Sequence, residues 1–136
     1  MQTYNSFGEL VAGQVTGLVS DMSTFNLDIS YASEGIKARC KPGSKTNRKL
    51  SEVNQKVLAD RLSDIADAPT LEDLRNGKGY FHELQHDREG QLSCTLDKGD
   101  RLVFIPDHNP VPVNPRGRLD WSKVTAVKIL EIVDYH

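Results

Sequence analysis

No apolar run in the chain approaches the ~18 residues that a membrane-crossing helix needs, so no segment is expected to span a bilayer. The N-terminus lacks a basic stretch ahead of an apolar core and does not read as a secretory signal. Cysteine is scarce: Cys40 and Cys94 stand far apart and outside any metal-ligand spacing. They read as free thiols, and the expected location is a reducing cytoplasm. Positive charge is not in excess either. The net charge of −2 is not the profile of a general nucleic-acid binder. Gly43-Ser44-Lys45-Thr46 has neither the paired glycines nor the Gly-Lys step of a phosphate-binding P-loop, which excludes that chemistry.

What is present is ordinary globular composition, 38% hydrophobic and 26% charged over 136 residues, enough for one domain with its own core. Phe7, Leu10, Val11, Val15, Leu18 and Val19 recur at helical steps. They predict an N-terminal helical extension over residues 1–21, weakened by Gly8, Gly13 and Gly17 and dependent on docking. Residues 22–136 then form the main domain, with Met22 as an alternative start. Phe25 to Tyr31 alternates apolar and polar, a strand with one buried face. A helical turn is expected near Glu34 to Cys40. Leu50, Val53, Val57, Leu58, Leu62 and Ile65 give the clearest helix, roughly 48–66. Thr70 with Asp73 resembles a capping box for one further turn.

The second half is β-rich. Tyr80 to Gln85, Gln91 to Leu96 and Arg101 to Ile105 read as hairpin strands separated by glycine-bearing turns. Pro106, Pro110, Pro112 and Pro115 make the next stretch a surface loop. Val124 to Val133 is β-branched and apolar, a central strand covered on both faces. The expected class is α+β: a mostly antiparallel twisted sheet of four to five strands with two or more helices packed on it.

Two features bear on chemistry directly. His82-Glu83-Leu84-Gln85-His86 matches the H-E-x-x-H signature of zinc peptidases, in which both imidazoles bind metal from one helical face. That requires a helix, whereas four residues along a strand separate the ligands by ~13 Å. Glu89 also stands where the extended motif needs glycine. The expectation is a strand here, with no metal and no cofactor, and zinc proteolysis as a lesser alternative. The other feature is a run of cations with no acid among them: Lys37, Arg39, Lys41, Lys45, Arg48 and Lys49. Such a run suits a phosphate backbone, and a solvated surface is its plainer reading.

His82-Glu83-Leu84, Asp87-Arg88-Glu89-Gly90-Gln91, Arg101-Leu102-Val103-Phe104 and the terminal Glu131-Ile132-Val133-Asp134-Tyr135-His136 together resemble the RelE/HigB toxins of bacterial type II toxin–antitoxin systems. Leu119 to Ile129, after a proline-rich insert, is similar to the branch labelled plasmid-maintenance killer or killer-suppression protein. The resemblance covers roughly residues 25–136, with its specific positions between 80 and 136. It implies a RelE-like fold and ribosome-dependent cleavage of mRNA, in which a ribose 2′-OH attacks the adjacent phosphate. It further implies a helix-turn-helix antitoxin as partner, the ribosome and mRNA as target, and operator DNA reached only through the antitoxin.

On that resemblance the catalytic set is His136, Tyr135, Asp134, Arg101 and His82. A histidine with an ordinary pKa near ~6.5 exchanges protons at neutral pH. Tyr135 would stack on a base or donate a hydrogen bond, Asp134 would orient His136 or accept a proton, and Arg101 offers a fork of donors to phosphate. Arg88 and Lys98 join the 37–49 cations as RNA contacts. The chain departs from the pattern where Gln85 and His86 replace a lysine after the first histidine, and near Asp97-Lys98, where an arginine is expected. Those departures keep open a second function, a RelE-fold binding module that engages antitoxin and operator without cleaving RNA. A gyrase-poisoning relative is a third, disfavoured by the terminal Asp-Tyr-His.

Overall fold

The computed structural model describes residues 26–41 and 50–134, with only the backbone of Asp134, and the backbone of Thr3–Tyr4 and Leu10–Val11. Lys45, Arg48, Lys49, Tyr135 and His136, the alternative start at Met22 and most of the expected N-terminal helix lie outside the described residues. Within that expected helix the chain is extended at Leu10–Val11 (β2), which pairs antiparallel with Thr3–Tyr4 (β1). Glycines on either side and a β-branched valine favour that outcome over helix.

A five-stranded mixed sheet forms the frame. Its members are β3 (Asp28–Tyr31), β4 (His82–Glu83), β5 (Leu92–Thr95), β6 (Asp100–Pro106) and β7 (Ala126–Asp134), in spatial order β3-β7-β6-β5-β4. Only β3 and β7 run parallel; every other pair is antiparallel. The α+β class and the strand number agree with the sequence reading. A slip between Val103 and Phe104 makes Leu130 an extra residue on β7, because Val103 faces Glu131 while Phe104 faces Ile129.

Helix α1 (Glu34–Arg39) is started by Ser33, whose hydroxyl accepts from the Ile36 amide at 3.1 Å. Helix α2 (Glu52–Asp67) is started in the same way by Ser51 on the Asn54 amide at 3.0 Å. It stops where it does because Pro69 forces Ala68 out of the helical region, to ψ 134°. The Thr70–Asp73 capping box is present and opens a short 3-10 turn, Leu71–Leu74, with both leucines buried.

One face of the sheet is sealed. Leu92, Cys94, Leu102, Phe104, Val127 and Ile129 are fully buried against Leu58 and Ile65 of α2, Leu71, Leu74 and Trp121. Each large apolar side chain so buried contributes roughly 1.5–3 kcal/mol. Two expectations need correction. Val53 is 55% exposed, and its neighbour Asn54 is buried instead, so the apolar stripe of α2 is narrower than the periodicity implied. Strand β7 is internal to the sheet but covered on one side only. Val127 and Ile129 are buried, whereas Lys128 is half-buried and Glu131 exposed.

Buried Asn54 ties α2 to the β5–β6 hairpin. Its amide nitrogen donates to the Asp100 carboxylate at 2.7 Å and the Asp97 carbonyl at 3.1 Å, and its amide oxygen accepts from the Asp97 amide. The proline loop returns to the core through Trp121, whose indole N–H donates to Glu83 at 2.9 Å while Arg75 lies 4.0 Å above the ring. The described part of this loop is irregular surface chain, as expected, closed by the Val113–Leu119 bridge.

Candidate active site on the open face of the sheet

Cross-strand partners share a face of a sheet, and so do residues two apart on one strand. The register therefore puts His82, Ser93, Val103 and Glu131 in one row across β4, β5, β6 and β7. Thr95, Arg101 and Val133 form the next row on the same face. This is the face opposite the sealed core. His82 and Arg101 sit two strands and one row apart, about 12 Å between backbones from standard sheet spacings. That gap suits a phosphodiester held between two side chains. Strand β7 ends at Asp134 opposite Asp100, immediately beside Arg101.

His82 is fixed by its own turn. Its Nδ1 lies 2.9 Å from the Tyr80 carbonyl. A carbonyl oxygen only accepts, so Nδ1 carries the proton and Nε2 of the neutral ring keeps its lone pair. The ring also stacks on Tyr80, with centroids 4.4 Å apart and planes at 27°. An imidazole held in this tautomer is equipped to take a proton through Nε2.

The His82–Glu83 strand ends quickly, and His86 opens a 3-10 turn, His86–Arg88. The two histidines of H-E-L-Q-H therefore do not share a helical face, and Glu83 is held by Trp121. The zinc-peptidase alternative is set aside on this geometry. The expected strand from Tyr80 to Gln85 is correspondingly shorter, because Tyr80 and His86 take left-handed backbone at φ 50° and 61°.

Arg88, expected on RNA, is brought across the same face. Its guanidinium pairs with Glu131, which shares a row with the buried Ser93 and Val103. Ser93 Oγ has no hydrogen-bond partner among the described residues. Lys98 occupies the β5–β6 turn at φ 54°. Lys37 and Arg39 stand in the last turn of α1, which packs against β3 and β7 and so lies on the far side of β7 from His82. Sequence reasoning missed Tyr80, Ser93 and Glu131. Their signal was the register itself, which single-strand patterns do not carry.

Both thiols are unsuited to nucleophilic work. Burial pushes Cys94 up to about 12 and Cys40 up to about 11 from the ordinary 9.0. Burial also raises the Tyr31 phenol, and Cys40 nearby adds to the shift. A half-open groove of about 410 Å³ lies apart from the His82–Arg101 face, between the proline loop and the β4–β5 hairpin. Val111, Val113, Leu119 and Gln91 line it. Among the described residues no helix is long and apolar enough to cross a membrane.

No family model matches the chain, and no curated protein does. Solved structures similar to it include a YoeB-YefM complex from Staphylococcus aureus and a YoeB dimer from the same organism. Each is 18% identical over 82% of this chain and 98% of the solved one, with TM-scores of 0.48 and 0.47.

Proposed function

We propose that the chain is the toxin of a toxin–antitoxin pair and cleaves mRNA on the ribosome by 2′-OH attack on phosphate. The observation that carries this reading is the register that puts His82 and Arg101 together on the face opposite the sealed core, next to the end of β7. The resemblance of the 80–136 segments to RelE/HigB toxins supplies the reaction class. His82, with Nε2 unprotonated in its neutral ring, is suited to take the 2′-OH proton. Arg101 presents a planar fork to the phosphate as charge builds on its oxygens. His136 is assigned the proton for the departing 5′ oxygen, Asp134 the orientation of that histidine, and Tyr135 a base to stack on. A helix-turn-helix antitoxin is the proposed neutralising partner, and operator DNA is reached through it.

Lys37, Arg39, Lys41, Lys45, Arg48 and Lys49 are proposed as ribosomal RNA contacts, with Lys98 at the hairpin tip. Changing Lys45 and Lys49 to glutamate should weaken ribosome binding and flatten its salt dependence, because fewer counterions are released. An unaltered slope would return the cluster to a solvated surface.

A second reading is favoured by one observation, the capture of Arg88 by Glu131. That pair places a carboxylate on the face that must accept phosphate. A chain so arranged could keep antitoxin binding and lose cleavage. Inducing the full-length chain and its His136→Ala variant in a bacterium, then mapping mRNA ends, separates the two. Cleavage ends that appear with the parent and vanish with the variant support the toxin. Growth arrest equal in both, with no new ends, points to binding alone.

A further inference from the structure

We propose that Tyr80 is a stacking platform for an unpaired RNA base, built onto His82 and presenting the nucleotide to the His82–Arg101 face. The inference rests on the ribonuclease reading for its ligand class and on the local geometry for its residue. Tyr80 is 65% exposed, the most exposed of the large hydrophobic side chains described. An exposed aromatic ring gains nothing from the core, so packing does not account for its placement. Its backbone sits at φ 50°, a left-handed conformation that is strained for a non-glycine residue.

That conformation is imposed from both sides. Preceding Gly79 is at φ 98°, and a Cβ there would fall 2.6 Å from Arg61 Nε. The Gly79 carbonyl is held by the Thr95 amide at 2.7 Å and the Thr95 hydroxyl at 3.1 Å. Arg61 in turn donates to the Thr95 carbonyl at 3.1 Å. After Tyr80, the His82 imidazole donates back to the Tyr80 carbonyl. The turn is thus fixed by α2, β5 and β4 together, and it holds the phenol ring against His82 at 4.4 Å between centroids. With one side of the ring against the imidazole, the exposed area is available for a further ring.

Every nucleobase has a flat π-face, so such a platform accepts bases with little sequence preference. The fixed turn and the contact with His82 reduce the side-chain ordering that binding requires. Stacking a base on Tyr80 would set its ribose beside Nε2 of His82, where the proposed proton transfer occurs.

The test uses the full chain and a short single-stranded 2′-O-methyl RNA containing 2-aminopurine, which cannot undergo 2′-OH attack. Tyr80→Ala should weaken its binding about 5- to 150-fold, the range for one lost base stack. Tyr80→Phe should bind as the parent does. The 2-aminopurine fluorescence should be quenched by the parent and Tyr80→Phe, and not by Tyr80→Ala. Tyr80→Gly, which relieves the left-handed strain, checks the fold: its melting temperature should match or exceed the parent's while binding falls. Equal affinity of Tyr80→Ala and the parent overturns the platform. A parent that cleaves mRNA on ribosomes and ignores the oligonucleotide overturns the platform and leaves the ribonuclease standing. A parent that binds through Tyr80 and yields no cleavage does the reverse.

Discussion

The two faces of the central sheet are made by alternate residues of the same strands, yet they do different work. On β6, Leu102 and Phe104 are sealed against α2, while Arg101 points to the other side. On β5, Leu92 and Cys94 join the core, and Thr95 joins Arg101. The sealed face carries most of the apolar area that holds the fold, with fully buried Val103 and Ser93 the exceptions on the other face, and that other face carries the groups proposed to move protons and hold phosphate. A side chain's contribution to stability or to activity should therefore follow the parity of its position, and that separation can be broken experimentally.

The largest effect is expected on the sealed face. Phe104→Ala should cost about 3–5 kcal/mol of unfolding free energy by denaturant titration, since the cavity forms where nothing can collapse into it. A cost under ~1 kcal/mol would mean that the core is not packed around this ring. Next in size is Asn54→Ala. It removes one partner of the buried Asp100 carboxylate and the acceptor of the part-buried Asp97 amide, with an expected loss of about 1–3 kcal/mol. Backbone amides of the 97–100 turn should then exchange faster with solvent.

On the open face the same measurement should hardly respond. Glu131→Gln breaks a partly exposed pair with Arg88 and should change stability by no more than ~1 kcal/mol. It should tighten RNA binding and steepen the salt dependence by about one phosphate contact. Weaker RNA binding in that variant would assign Glu131 a constructive role and count against the reading of Arg88 as a captured RNA contact.

The smallest effect is alkaline. Folding holds Cys94 protonated up to about 12 and Cys40 up to about 11, against 9.0 for an ordinary thiol. A folded pKa above the unfolded one contributes stability that is complete below pH 9 and is lost as pH climbs through the folded values. Stability should fall between pH 9 and 12, and less steeply in Cys94→Ala than in the parent. Identical slopes would mean that Cys94 is not shielded by the sealed face.

Much of this division was readable in the sequence. Period-two alternation located β3, glycine-bearing turns marked out β5 and β6, and the apolar periodicity from Leu50 to Ile65 located α2, whose Ser51 cap was not read. His82 and Arg101 were singled out by resemblance, and the β-rich pattern around H-E-L-Q-H argued for a strand there rather than the helix that the zinc motif needs. Other features needed three dimensions. Asn54 is buried because a distant turn offers it three partners, which no helical periodicity reports. Glu131 meets Arg88 across four strands, and Tyr80 meets His82 only because Gly79 and Thr95 turn the chain. The slip at Leu130 decides which residues of β7 share the face with Arg101, and a single-strand pattern cannot reveal it.

The claim that chemistry and folding lie on opposite faces is tested most directly by one variant measured two ways. Arg101→Ala should melt within about 2–3 °C of the parent, as befits a half-buried residue outside the apolar core. With programmed ribosomes it should yield at least ~100-fold fewer mRNA ends bearing a 5′-OH, because the phosphate loses its fork of donors. A variant that stays folded and still produces those ends at the parent's rate would contradict the account.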